Sequence, residues 1–226
     1  MIRTEQATLR YADHGREVFA VDHVDVHVRE NEFVGILGPS GSGKSSLLYI
    51  LSGLKLPTSG RVMYQGIDLS KLPDAERSRV RLREFGFVFQ QPFLLGYLTA
   101  MENVMLAAPP EREDARNHAD ELLEALGVWR KRTWLPHEMS VGERQRVCVA
   151  RALVGYPKVI FADEPTASLD HRTGEQVVYL LNEHRGRGSL VMVTHDPSML
   201  ACADRVLHIS DGRIVRQDQS ATSALS

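Results

Sequence analysis

Short, nearly unbroken apolar runs alternate along this chain with longer stretches whose apolar residues recur every three or four positions. The strand-like runs fall at residues 24–28, 33–37, 61–64, 85–89, 159–161, 190–194, 205–209 and 214–216. The helical period occupies 44–53, 74–83, 101–107, 112–126, 141–154, 172–185 and 198–203. Gly127 directly follows LLEAL, as a helix C-cap should.

The two patterns are unevenly spread. Residues 93–153 are nearly strand-free, whereas both flanks alternate strand and helix. That alternation predicts an α/β fold, a mainly parallel sheet flanked by helices, with a helical subdomain inserted into it. A single domain over 1–226 is expected, with its core in about 1–92 and 154–220 and the helical subdomain in about 93–153. Hairpin-like strands before Asn31 suggest a small antiparallel β subdomain. No internal repeat or low-complexity segment is present, and the polar tail QDQSATSALS after Arg216 is expected to fray.

Composition narrows the picture. At 226 residues, 43% apolar and 25% charged, the chain can build a substantial core and is neither disordered nor fibrous. A net charge of −2 with interspersed signs argues against nucleic-acid binding through bulk electrostatics. Cys148 and Cys202 have no metal or redox spacing and are expected to be small core residues in a reducing compartment. The N-terminus lacks an apolar signal core, and no window approaches the roughly 18 apolar residues that span a bilayer. A soluble chain is expected, reaching a membrane only through a partner.

Candidate chemistry begins after the run EFVGIL. Gly38, Pro39, Ser40, Gly41, Ser42, Gly43, Lys44 and Ser45 follow it, then Ser46, and an apolar helix continues; this is the P-loop pattern in its strand–helix context. Glycines let the backbone fold around phosphates, and the helix N-terminus adds its positive end. Lys44 brings a full charge to the β and γ oxygens of ATP, and Ser45 a hydroxyl to magnesium. Downstream, KVIFADEP places Asp163 at the end of a buried strand, where it can hold magnesium through water. Glu164 beside it can polarise the attacking water as a general base. Gln90, in FVFQQ, follows another strand and can reach the magnesium or the water; Gln91 is an alternative. His195, in VMVTHD, ends a further strand and can hydrogen-bond the γ-phosphate.

GPSGSGKS, Gln90, MSVGE, FADEP, ASLD and VTHD occur in the order and rough spacing of an ABC ATPase nucleotide-binding subunit. The resemblance covers almost the whole chain and implies a P-loop NTPase core. VFQQPFLLGYLTAMENV and ARALVGYPKVIFADEPTASLD are similar to the free-standing subunits of lipoprotein-release and macrolide-export systems. The resemblance implies a head-to-tail homodimer, or a pair with another ATPase subunit. Each phosphate would then lie between one P-loop and the other protomer's Ser140, Val141, Gly142 and Glu143. Within SVGE, two letters depart from the family's SGGQ. Val141 for glycine costs backbone freedom only, provided its φ stays negative. Glu143 for glutamine favours the helix dipole, but its charge near a phosphate weakens binding slightly. The family also implies that Tyr11 stacks on adenine and that Asp170 couples the two sites; Ser168 or Asp170 can equally cap the next helix.

One nucleotide core without a membrane span resembles half of an ATPase pair. It would serve a transmembrane permease subunit from the cytoplasmic side of the inner membrane. Export or transmission of force is expected, with no nucleic-acid partner; a soluble ATPase of DNA repair or translation, or a non-hydrolysing regulatory subunit, is the alternative. In the family the partner docks just after Gln90. Residues 93–98 are therefore either a docking surface or core of the helical subdomain.

Overall fold

The structure is a computed structural model that describes residues 1–13, 16–184 and 188–219. It divides into two compact units: 1–81 with 191–226, and 82–190. The chain passes between them inside the helix Asp74–Glu84 (α2) and the strand Ser189–Thr194 (β9).

The first unit opens with an antiparallel sheet. β1 (Ile2–Asp13) pairs with β2 (Arg16–Val24), β3 (His27–Val28) and β5 (Ser59–Tyr64), and β5 pairs with β6 (Ile67–Asp68). This is the expected β subdomain, though β1 is far longer than any run anticipated there. β4 (Phe33–Leu37) lies between β9 and β10 (Arg205–Ser210). It runs parallel to β10, from Val34 opposite Arg205 to Leu37 opposite His208. β11 (Arg213–Gln219) returns antiparallel on the outer side of β10. Phe33, Val34 and Ile36 of β4 are fully buried, as are Leu47, Ile50 and Leu51 of α1 (Lys44–Leu51).

In the second unit β7 (Phe85–Val88) and β8 (Val159–Asp163) form a parallel pair with every residue of β8 buried. Phe161 packs on Phe85 and Phe87, with ring centroids 5.2 and 5.7 Å away. The same unit holds α3 (Ala100–Met105), α4 (Ala115–Ala125), α5 (Val141–Leu153) and α6 (His171–His184), so all of 93–153 lies within it. Gly127 closes α4 as expected: at φ 67° it donates to Glu124 O, and Val128 donates to Leu123 O.

Some expectations need correction. Residues 198–203 do not form an α-helix but a 3-10 turn, Pro197–Leu200, started by Pro197 and capped by Asp196. Cys148 is buried, its thiol pushed up to about 11 by burial, but Cys202 faces solvent on the turn that follows. Part of the tail is ordered: β11 reaches Gln219, with Gln217 opposite Leu207 and Asp218 opposite Val206. The rest of the tail, 220–226, and the expected end of the last long helix, Arg185, lie outside the described residues.

Candidate active site

In the first unit β4 ends at Leu37 and α1 begins at Lys44, so residues 38–43 make the turn between them. The Lys44 ammonium, 8% exposed, crosses that turn and donates to the carbonyl oxygens of Gly38 and Pro39, both at 2.8 Å. An ammonium carries three donors, so two carbonyls do not exhaust it. Gly43 stands at φ 100°, and a Cβ there would lie 1.9 Å from the Ala20 carbonyl oxygen of β2. Only glycine permits both that turn and that approach. Ser42 is buried, and its Oγ has no hydrogen-bond partner among the described residues. Pro39, Ser40 and Gly41 are exposed, and Ser45 and Ser46 lie half-buried in the first turn of α1, whose opening N–H groups have no acceptor within the helix. A cation, an unmatched hydroxyl and a helix N-terminus together fit a string of phosphates.

Two more expected site residues share this unit. Tyr11 sits on β1 opposite Val18, 40% exposed, with the Lys55 ammonium 4.2 Å from its ring centroid. His195 is exposed and directly follows β9, the neighbour of the P-loop strand β4.

Gln90, Asp163 and Glu164 belong to the second unit. In the β7–β8 register Phe85 faces Val159 and Val88 faces Ala162. Continued past the last pair, it sets Phe89 level with Asp163 and exposed Gln90 level with Glu164. Asp163 is buried. Glu164 follows at φ 48°, a left-handed conformation that costs a non-glycine residue about 1–3 kcal/mol and is typical of functional turns.

Gln145, which the sequence analysis passed over, ties these loops together. It is 1% exposed on α5, and its Nε2 donates to Phe89 O at 2.8 Å and Pro165 O at 3.2 Å. Those carbonyls adjoin Gln90 and Glu164. The signal was present: Gln145 shares a helical face with Cys148, Val149 and Ala152, all buried, so its amide had to find buried partners.

The MSVGE stretch opens α5, with Ser140 as N-cap. Ser140 Oγ accepts from Glu143 N at 3.2 Å, and a Glu143 carboxylate oxygen accepts from Ser140 N at 2.9 Å, a reciprocal capping box. The S-x-x-E spacing announces that box, and the sequence analysis read only its charge. The other Glu143 oxygen meets the Lys131 ammonium at 2.8 Å. Lys131, followed by the Ser140 N–H, holds the Glu143 carboxyl below the usual glutamate range. Val141 is helical, 46% exposed and not left-handed, which meets the condition set for it. Asp170 precedes α6 and accepts from Thr173 N at 3.0 Å; Thr173, through its side chain and then its N–H, holds the Asp170 carboxyl below its ordinary value. Asp170 thus performs the capping role open to it, and Ser168 does not share that bond.

Comparison with known proteins identifies the family. The family model described as ABC transporter matches residues 21–167. The lipoprotein-releasing system ATP-binding protein LolD of Syntrophotalea carbinolica is 45% identical over 219 residues, 95% of this chain and 96% of its own length. The macrolide export ATP-binding/permease protein MacB of Vibrio parahaemolyticus is 38% identical over 98% of this chain but only 34% of its own length. Among solved structures, the dimeric post-hydrolysis state of the ATP-binding cassette MJ0796 bound to ADP and Pi superposes with a TM-score of 0.90. That cassette is 37% identical, covering 97% of this chain and 98% of that one. The chain belongs to the ABC transporter family, as an ATP-binding cassette that hydrolyses ATP.

Proposed function

We propose that the chain closes head-to-tail on a second copy, or on a paired ATPase subunit, around two ATP–magnesium, and that closing and opening drive a separate transmembrane permease subunit. Lys44 and the backbone N–H groups within 38–46, all but Pro39, hold the β and γ phosphates, and Tyr11, with Lys55 on its ring, stacks on adenine. Ser45, Gln90 and Asp163 offer the oxygen donors that magnesium prefers, and the bound ion offsets phosphate charge. Glu164 takes a proton from the attacking water, and His195 hydrogen-bonds the γ-phosphate. The opposite protomer contributes Ser140 and the Gly142 amide at a helix N-terminus, and Asp170 couples the two sites.

One observation carries the membrane-partner reading. Phe93, Leu95 and Tyr97 are 61%, 40% and 77% exposed, an alternating apolar row on a fixed backbone. Buried Asn103 fixes it, accepting from Leu95 N at 2.8 Å and donating to the carbonyls of Leu95 and Leu98 at 3.1 and 3.0 Å. A rigid, exposed apolar row supports docking over core, and it begins three residues after Gln90. No helix among the described residues is long and apolar enough to cross a membrane. The relatives' names, one a lipoprotein-releasing subunit and one an ATPase joined to its permease, favour export or force transmission from the cytoplasmic face of the inner membrane.

The test is affinity capture with tagged Glu164→Gln protein in ATP and magnesium, with and without Phe93→Ser and Tyr97→Ser. A membrane protein should co-purify with the former and be lost with the latter, while ATP affinity stays within about twofold. Retention of the same partner by the serine variant refutes the docking surface. A soluble partner refutes the transport reading.

A further inference from the structure

We infer that Lys131 is a positioning residue of the ATP-sandwich: it neutralises Glu143, so that the signature end of α5 can accept the opposite protomer's phosphate. This rests on the head-to-tail dimer proposed above and extends it to a residue outside every motif of the site.

Glu143 poses a problem where it stands. It is the third residue of α5, in the same first turn as the Ser140 hydroxyl and next to Gly142, and a carboxylate there repels a phosphate approaching the helix end. The structure removes that charge from both sides. One carboxylate oxygen is used inside the capping box, at 2.9 Å from Ser140 N, and the other faces the Lys131 ammonium at 2.8 Å. The two side chains are 30% and 19% exposed, enclosed enough for solvent to screen the pair only in part.

Lys131 is itself held in place. Its ammonium sits 4.2 Å from the Trp134 ring centroid, a cation–π contact that limits where the long side chain can go. The segment carrying it is tied to α3 through Met101 N to Arg132 O at 2.8 Å and Ala100 N to Trp134 O at 2.9 Å. Arg144 fastens the signature side, donating to Pro136 O at 3.2 Å and Met139 O at 2.7 Å. The cation and the cap are therefore held by separate bonds on either side of the signature turn. Surface pairs contribute little to stability, and Lys131 matters here for the field it cancels at the phosphate.

The test measures ATP-driven dimerisation by sedimentation in the Glu164→Gln background, over a range of ATP and salt concentrations. Nucleotide affinity of the single protomer serves as control, because in the proposed sandwich the signature serves only the opposite protomer's nucleotide. Lys131→Gln should raise the ATP concentration for half-dimerisation about fivefold, the scale of one charge pair near a protein surface, most strongly at low salt. Protomer affinity should not change. Lys131→Arg should keep the parental half-point, and adding Glu143→Gln to Lys131→Gln should bring it back to within about twofold. An unshifted Lys131→Gln half-point overturns the inference, and so does failure of Glu143→Gln to rescue, since a purely structural loss would persist. Absence of any ATP-driven dimer in the Glu164→Gln parent would refute the sandwich itself and the role of Lys131 with it.

Discussion

Replacing Asn103 with alanine should loosen the apolar row at 93–98 without touching the nucleotide site. Asn103 is fully buried, and its amide makes bonds to Leu95 N, Leu95 O and Leu98 O that alanine cannot make. The fourth, to Thr99 O, is less costly to lose, because the Asn103 backbone N–H also donates to that carbonyl at 2.9 Å. Three lost bonds at about 1 kcal/mol each give about 3 kcal/mol, and alanine's better helix propensity returns about 0.5 kcal/mol. Leu95 is 40% exposed, so water reaches part of what is left, and the net loss should be about 2–3 kcal/mol. For a chain of this size that lowers the melting temperature by about 5–10 °C. Urea unfolding gives the energy, and hydrogen exchange at the Leu95 amide reports the local opening. Permease capture should weaken while ATP affinity holds. A loss below about 0.5 kcal/mol with unchanged protection at Leu95 would show that Asn103 does not hold the row.

Three further perturbations probe other parts of the chain. Gly43→Ala drives a Cβ to within 1.9 Å of Ala20 O at φ 100°, so ATP affinity by calorimetry should fall at least about tenfold; unchanged affinity would mean that the turn does not need its observed shape. Burial, and then nearby His184, hold His118 below the usual histidine pKa, with its ring stacked 4.0 Å from Tyr156. The fold therefore favours the neutral ring: that stability is complete above the unfolded pKa near about 6.5 and is lost as pH falls below it. Urea curves at about pH 7.5 and 5.5 should show the loss in the wild type and a smaller one in His118→Phe. Arg205→Met takes from the Glu32 carboxylate its charge partner at 2.9 Å, with side chains 12% and 8% exposed, and leaves it the Arg29 N–H at 2.7 Å; it should cost about 3 kcal/mol in urea, and a change under about 1 kcal/mol would show the pair to be dispensable.

The strand runs at 33–37, 85–89 and 190–194 were readable because buried strands are apolar on both faces and need no partner to be recognised. The P-loop was readable for a similar reason, since phosphate binding demands glycines and a lysine at fixed local spacing. The long first strand was not. Its RTEQATLRY core carries threonines and charges, and Thr4 is buried by bonding Val24 O at 2.9 Å, a partner 20 residues away. The row at 93–98 likewise had an apolar pattern that suits core and docking equally, and distant bonds, from Asn103 to Leu95 and Leu98 and from Arg151 to Phe93 O, hold it with Phe93, Leu95 and Tyr97 exposed.

By itself the sequence determined the apolar core strands, the ATPase chemistry and the family, all written in local spacing that survives any packing. The tertiary structure alone decided what offsets the charge of the altered signature. Glu143 is one charged letter until Lys131, 12 positions earlier, closes to 2.8 Å, and Gln145 is one polar letter until Phe89 O comes within 2.8 Å across 56 positions. Hydrophobic period reports which face a residue occupies. It does not report which distant atom arrives there, and a buried polar group is stabilised or stranded by that atom alone.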